Sequence, residues 1–456
     1  MKWSFDILVV GAGPAGIAAA VTAAETGQHV GLVDDNPAPG GQIWRTGAPL
    51  LAAARQWQAR LNASSVVRLQ GWRVFDCPAP GLVLAERNAG SWSRDTGAAL
   101  NENRDCAELR CGALILSTGA RERFLPFPGW TLQNVMGAGG LDAMVRGGLP
   151  VAGKRVVVAG TGPLLLAVGA HLAHRKAKVA VICEQAPWSQ LARFASRIFG
   201  EPAKLWQGAQ YRMTLRRTRY LTGTWPIAAH GRDRIEAVTL RQGQKQWDVE
   251  CDYLACGFHL VPNTELAELL GCRTENGFVV VDETLQTSIP SIYCAGEPNG
   301  IGGVELSLLE GRIAALAASG DTDTARSLAR QRRSKLGFVR ALEQGCDLDP
   351  QLRELAAQDT IVCRCEDVRY GTLREYARWR EAKLHTRCGM GPCQGRICGP
   401  ATEFLFNWRV GSVRPPLFPS SVASLVSSRE PAPSAEILAA ANASPEKFPE
   451  KSKETP

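Results

Sequence analysis

At 456 residues, 45% hydrophobic and 21% charged, the chain is long enough for two or three domains, each with its own core. Fourteen cysteines are too sparse for a secreted disulfide scaffold, and no apolar run is long enough for a membrane-spanning helix. The formal charge of +8 comes from dispersed basic residues, which argues against a nucleic-acid partner. The apolar run ILVVGAGPAG near the start is glycine-broken and has no small-residue cleavage site. It reads as a strand and turn, not a signal peptide, so a cytoplasmic location is expected.

Residues 6–10, DILVV, form a short apolar run expected as a buried parallel strand. It passes into GAGPAG, where Gly11, Gly13 and Gly16 supply the GxGxxG spacing around Pro14 and Ala15. An alanine-rich helix closed by Gly27 is expected next, then a strand, HVGLVDD, ending in Asp34. In this frame Gly11 allows a tight turn, Gly13 lets the backbone approach a pyrophosphate, and Gly16 lets the helix pack on the strand. The helix N-terminus faces the phosphates, and an acid about 20 residues on takes the ribose hydroxyls. Asp34 has that place, with Asp35 as the fallback. The frame reads as a dinucleotide site. The loop NPAPGGQIWR, with Gly41 and Gln42, and the strand LILSTGARER, which ends at Thr118 and Gly119, point to FAD. The second resembles the pattern by which FAD enzymes with two dinucleotide-binding domains bring the chain back under the cofactor.

Residues 154–184, KRVVVAGTGPLLLAVGAHLAHRKAKVAVICE, repeat the strand, turn, helix, strand and acid with Gly160, Gly162 and Glu184. Leu165 stands where the third glycine belongs, so helix and strand are expected to pack less closely. No arginine suited to a 2′-phosphate follows Glu184, which favours NAD over NADP. The alternatives are an adenine nucleotide held structurally and an inherited empty fold. His171 and His174 share a helix face and read as a partly buried pair, not a metal site. In residues 287–318 a strand ends at Gly296 and Glu297, and Gly302-Gly303 open another helix. This resembles a strand–Gly–Asp element whose carboxylate binds a ribityl hydroxyl of FAD; Glu297 is one methylene longer, so the contact must be re-aimed.

Over roughly residues 5–320 the chain resembles the FAD/NAD-linked disulfide-reductase-like flavoproteins. That resemblance implies an α/β fold of two Rossmann-like dinucleotide-binding domains. The FAD-binding domain would comprise residues 1–125 and 285–320, and the second nucleotide-binding domain residues 126–284. The redox-active CxxC of those proteins is missing here, because no two cysteines in this region have that spacing. Electrons must leave another way.

Residues 321–360, arginine-rich with helical runs, read as a linker. Cys363-x-Cys365 then precedes GMGPCQGRIC, which carries Cys393 and Cys398, with Cys388 just upstream. Thr372 and Glu375 suggest a capping box for a helix TLREYARWREA, and Gly399-Pro400 open a second helix with Phe404, Leu405 and Trp408 on its apolar face. Four thiolates suit zinc or an iron–sulfur cluster, and spacing alone excludes neither. A flavin without a dithiol needs a one-electron outlet, which favours [2Fe–2S]. From Cys363 to Arg414 there are ten Lys+Arg against five Asp+Glu, and Arg364, Arg369, Arg387 and Arg396 could offset the charge of such a centre. Residues 361–411 resemble a small helical bacterioferritin-associated-ferredoxin-like [2Fe–2S] domain with a wider second cysteine pair. That resemblance implies Cys363, Cys365, Cys393 and Cys398 as ligands; Cys388 could replace Cys398. The other nine cysteines read as buried small hydrophobes. Residues 412–456 read as an extended proline-rich arm and then disorder, with a partner able to order the arm.

The stretches STGARERFLPFPGW, NVMGAGG, GEPNGIGGVELSLLEGR and TRCGMGPCQGRIC resemble the α subunit of heteromeric bacterial amine and imino-acid dehydrogenases. These include the D-hydroxyproline dehydrogenase, opine oxidase and dye-linked L-proline dehydrogenase systems, and hydrogen cyanide synthase has a related subunit. The resemblance implies electron transfer through FAD and [2Fe–2S], and a scaffolding role. The partners it implies are a D-amino-acid-oxidase-like flavoprotein β subunit, which oxidises the C–N bond, and a small ferredoxin-like subunit. The six histidines offer no evident substrate base. Two other readings stay open: a stand-alone NAD(P)H-dependent ferredoxin or iron–sulfur reductase, and a non-catalytic assembly subunit.

Overall fold

A computed structural model describes residues 1–44, 52–87, 106–409, 411 and 413–427. The first unit runs β1 (Lys2–Val10), α1 (Pro14–Glu25), β2 (Val30–Asp34), α2 (Ala52–Ala63), β3 (Val67–Gln70), β4 (Trp72–Ala79), β5 (Leu82–Arg87) and β6 (Cys106–Leu116). β1 pairs in parallel with β2 on one side and β6 on the other. Both its faces are covered. Ile7 and Val9 pack with α1, while Leu8 and Val10 pack with residues of β4 and β5. That is why DILVV is a continuous apolar run rather than an alternating one. The strand begins earlier than the run, because its polar start pairs with Glu108–Cys111 of β6.

The chain then crosses through β7 (Ala120–Glu122) into a second unit of β8 (Val135–Gly137), α3 (Ala138–Arg146), β9 (Arg155–Thr161), α4 (Leu164–His174) and β10 (Lys178–Glu184). It continues with α5 (Trp188–Arg197), α6 (Pro202–Thr214) and β11 (Arg219–Thr222). An antiparallel sheet of β12 (Thr224–His230), β13 (Ala237–Gln242) and β14 (Lys245–Glu250) precedes β15 (Tyr253–Phe258). The parallel sheet of this unit has the order β11-β10-β9-β15-β8. β16 (Leu260–Pro262) returns antiparallel to β7, so the two crossings between the units pair with each other.

After α7 (Glu265–Leu269) and the hairpin β17 (Thr274–Glu275) and β18 (Phe278–Val279), β19 (Ile292–Cys294) re-enters the first sheet beside the C-terminal half of β6. α8 (Val304–Ala318) packs on α1 at very short range: a Cβ added to Gly311 would fall 2.1 Å from the Ala15 carbonyl oxygen. α9 (Thr322–Gly345) lies along α8 and reaches α5, where Phe338 meets Phe194. None of the helices among the described residues is long and apolar enough to cross a membrane.

The last region holds β20 (Ile361–Cys363), β21 (Val368–Arg369), α10 (Tyr370–Leu373), α11 (Trp379–Thr386), α12 (Cys398–Phe406) and α13 (Val422–Ser427). The single capped helix expected from Thr372 is two helices, and α10 starts before Thr372 with Arg369 as its N-cap. Extended backbone at Arg378 separates them and seats the Trp379 ring against Gly389 and Gly395. The arm needs no partner to be placed as far as residue 427. Leu417 N–H donates to the Phe75 carbonyl at 2.8 Å, and the Arg73 guanidinium lies over Phe418. The disorder expected from residue 428 onward falls outside the described residues.

Candidate functional site: two nucleotide frames and a cysteine cage

In the first frame the glycines are required by geometry. Gly11 has φ +102°, and a Cβ on Gly16 would fall 1.7 Å from the Gly11 carbonyl oxygen. Gly13 is different: nothing lies within 4 Å of its Cβ position. Its surface is an open cradle at the N-terminus of α1, which has no side-chain cap and carries Pro14 in its first turn. Unpaired N–H groups at a helix start suit an anion, so the frame fits the pyrophosphate of a dinucleotide. Gly41 folds over this cradle, with a Cβ position 2.9 Å from the Gly13 Cα; Gln42 beside it is exposed.

Asp34 closes the frame. It is buried, and accepts hydrogen bonds from the Ala12 N–H at 2.5 Å and the Asn36 N–H at 2.8 Å. Asp35, the fallback acid, is exposed and faces Arg73, so Asp34 is the inward carboxylate. Thr118 and Gly119 are held from the other side by Asn263. Its amide donates to the Thr118 carbonyl at 2.8 Å, and its own N–H to the Gly119 carbonyl at 2.9 Å. Burial pushes the Glu297 carboxyl up to about 6, against a lowering contact from the Ala120 N–H. Gly296, with φ +85°, donates its N–H to Glu310 at 2.8 Å. Glu310 has no solvent exposure and pairs with Arg332 at 2.7 Å.

The second frame has the same outline. Gly160 has φ +140°, and a Cβ there would fall 1.9 Å from the Gly257 carbonyl oxygen. Glu184 is fully buried and accepts from the N–H groups of Gly162 and Ala186 at 2.8 and 2.9 Å. Burial pushes its carboxyl up to about 7. Leu165 is buried in the core at the third glycine's place, and α4 starts one residue later after its turn than α1 does. His171 pairs with Asp142 and accepts from Arg175, whereas His174 is exposed; the two do not form a pair.

The cysteines of the last region converge. The Sγ atoms of Cys363, Cys388 and Cys398 all lie within 4.8 Å of one another, and all three residues are buried. Cys363 ends β20, Cys388 follows the left-handed Arg387 that stops α11, and Cys398 opens α12. The thiols of Cys388 and Cys398 donate to Cys363, which pulls the Cys363 thiol down to about 2. Donating to Cys363 pushes Cys388 up to about 12, and Cys398 is pushed up for the same reason. Sulfurs this crowded cannot all ionise unless a cation sits among them, which is the chemistry of a metal centre. Cys365 and Cys393 lie outside that trio and hydrogen-bond to each other, Cys365 packing on Gly391. The charge offset expected from four arginines is uneven. Arg396 faces Cys393, but Arg387 is held by Glu366 at 2.8 Å, and Arg364 lies over Trp130.

A link between these sites was not visible in any motif. Arg121, two residues past Gly119, donates to the Asn263 side chain at 2.6 Å and to the carbonyl of Arg396 at 3.0 Å. Arg396 belongs to the loop between Cys393 and Cys398. A short hydrogen-bonded path therefore runs from Thr118 through Asn263 and Arg121 to the cysteine cage. Trp130 adds a second tether, donating to the Ile361 carbonyl at 2.6 Å.

Residues 5–311 match the pyridine nucleotide-disulphide oxidoreductase family. The chain belongs to that family. Within it, the A-type subunit of opine oxidase from Rhizobium meliloti (strain 1021) is 32% identical over 480 aligned positions, covering 94% of this chain and 99% of the relative. Hydrogen cyanide synthase subunit HcnB of Pseudomonas aeruginosa is 30% identical over 422, covering 86% and 90%. Among solved structures, L-proline dehydrogenase from P. horikoshii matches with a TM-score of 0.63 at 17% identity, covering 93% of this chain and 80% of that one. This member of the pyridine nucleotide-disulphide oxidoreductase family is thus an opine oxidase A-type chain, with a flavoprotein fold of two Rossmann-like units. Its cysteine cage lies beyond the matched residues.

Sequence reasoning missed Glu310, Asn263 and Arg121 as parts of the first site. None sits in a spaced motif of its own. The signals available were the charged Glu310 inside the apolar helix α8, and the position of Arg121 directly after STGA.

Proposed function

We propose that this chain is the electron-transfer and scaffolding α subunit of a heteromeric flavin dehydrogenase. The complex would oxidise the CH–NH or CH–NH2 bond of a D-amino or imino acid, such as hydroxyproline or an opine. In this reading a D-amino-acid-oxidase-like β subunit removes two electrons and two protons from the amine, leaving C=N, and a small ferredoxin-like subunit is a further partner. FAD accepts and releases electron pairs or single electrons, and a [2Fe–2S] centre carries one electron at a time, so the two together convert between the modes.

This chain's residues would hold both groups. Gly11, Gly13, Pro14, Ala15 and Gly16 receive the pyrophosphate, Asp34 the ribose, and Gly41, Gln42, Thr118, Gly119, Gly296 and Glu297 border the rest of FAD. Cys365 and Cys393 supply one pair of thiolates. Cys363 with Cys398 supplies the other, and Cys388 is a fifth thiol able to take the place of Cys398. The observation that carries this reading is the path from Thr118 through Asn263 and Arg121 to Arg396, which joins the two sites without passing through the second nucleotide frame.

The test is composition and spectroscopy of anaerobically purified protein. Two irons and two sulfides per chain are expected, with Ser replacements at Cys363, Cys365, Cys393 and Cys398 each disrupting the centre and Cys388→Ser sparing it. Loss in Cys388→Ser with retention in Cys398→Ser would exchange those two ligands, and stoichiometric zinc without iron would sink the relay. Gly13→Val should release FAD by placing a branched side chain in the open cradle; full FAD retention would move the flavin elsewhere.

A further inference from the structure

α9 does more than link two regions. It starts beside α8 in the first unit, crosses to the second, and ends at Gly345 against Phe194 of α5. The residues that follow are fixed over the second glycine turn. The Cys346 Sγ is 2.9 Å from where a Cβ on Gly162 would be, and Cys346 is 4% exposed. Gln185 grips the same segment from below, donating to the Asp347 carbonyl at 3.0 Å and accepting from the Asp349 N–H at 2.9 Å. Gln190 of α5 donates to the carbonyls of Gly345 and Asp347 at 3.2 and 3.3 Å.

The space between the glycine turn and the acid is where a dinucleotide places its pyrophosphate and ribose. In the first frame that space is open above Gly13. In the second it is filled by the chain itself, and Glu184 is sealed beneath, 0% exposed against 9% for Asp34. We propose that residues 345–349 are a built-in plug of the second nucleotide site, with Cys346 in the pyrophosphate position. The chain then takes no pyridine or adenine nucleotide there, and α9, anchored at both ends, ties the two units together. This inference does not rest on the relay reading, since a plugged site is compatible with any electron route that avoids NAD(P)H.

The experiment uses the full chain with its FAD, and NADH, NAD+ and ATP as probes in calorimetric titration. The unmodified chain should show no saturable binding up to about 5 mM, in the affinity range where millimolar ligand detects weak sites. A Cys346→Gly, Gln185→Ala variant, which removes the sulfur and releases the grip, should bind at least one probe about tenfold more tightly or better. Its FAD content should be unchanged. Saturable NADH binding by the unmodified chain overturns the plug. So does a folded, FAD-loaded variant that gains nothing, because the site is then closed for another reason, such as Leu165. Hydrogen exchange on the unmodified chain decides the matter if the variant fails to fold. Adding NADH should change nothing over 160–165 or 345–349, and new protection at the first with release at the second would show that nucleotide displaces the segment.

Discussion

Glu184 is an acid with no solvent contact, held by the backbone N–H groups of Gly162 and Ala186. Cys346 and Tyr220 face it, and neither is a cation. Burial therefore raises its carboxyl from 4.5 to about 7. Below about pH 4.5 the group is protonated in folded and unfolded chains alike and costs nothing. As pH rises toward 7 the unfolded chain releases its proton first, so stability falls, and it levels off above that. A shift of this size is worth about 3 kcal/mol. Urea unfolding between pH 5 and 8 should show stability declining across this window, and Glu184→Gln should flatten the decline. An unchanged slope in that variant would place the proton elsewhere.

At the scale of elements, the contact of α1 with α8 shows how small residues set a distance. Gly311 lies over the Ala15 carbonyl so closely that any side chain must push the helices apart. Gly311→Leu should cost about 2–3 kcal/mol, the usual penalty of overpacking, and should weaken FAD retention because α1 carries the glycine turn. Thermal melts with and without added FAD test this; an unshifted melt would mean that the helices separate freely. The strand β1, the helix α1 and the acid at Asp34 were legible in the sequence because they are local: a buried strand, a glycine turn and a strand end are written in consecutive residues. The break between α10 and α11 was not. Helical propensity continues through Arg378, but Trp379 must reach Gly389 and Gly395, and that demand comes from residues ten and more positions away. The same holds for the cysteines. Spacing marked the five thiols as a group, but the placing of Cys388 beside Cys363 and Cys398 depends on how α11 ends, which spacing does not encode.

Across the whole molecule, the long-range parts are the ones local pattern left out: the crossing of α9, the plug at Cys346, the arm on β4, and the Arg121 bridge. They share one consequence, a first site tied to the cysteine cage and a second site shut, and this bears on where an amine could be oxidised. A substrate carboxylate needs a free cation beside the flavin. Arg121 is not free: it is committed to Asn263, to Glu265 at 2.9 Å and to the Arg396 carbonyl. Arg332 is likewise committed to Glu310. We therefore expect the isolated chain, loaded with FAD, not to be reduced by hydroxyproline, proline or opines under anaerobic conditions. Co-expression with a D-amino-acid-oxidase-like flavoprotein should restore substrate-driven bleaching of the flavin and reduction of the iron–sulfur centre. In that complex Arg121→Met should slow reduction of the centre while the partner's flavin is still reduced at its normal rate, because the substitution loosens only the contact between the first site and the Cys393–Cys398 loop. Rapid reduction of FAD in the isolated chain by any of these amines would put the oxidation chemistry in this subunit instead.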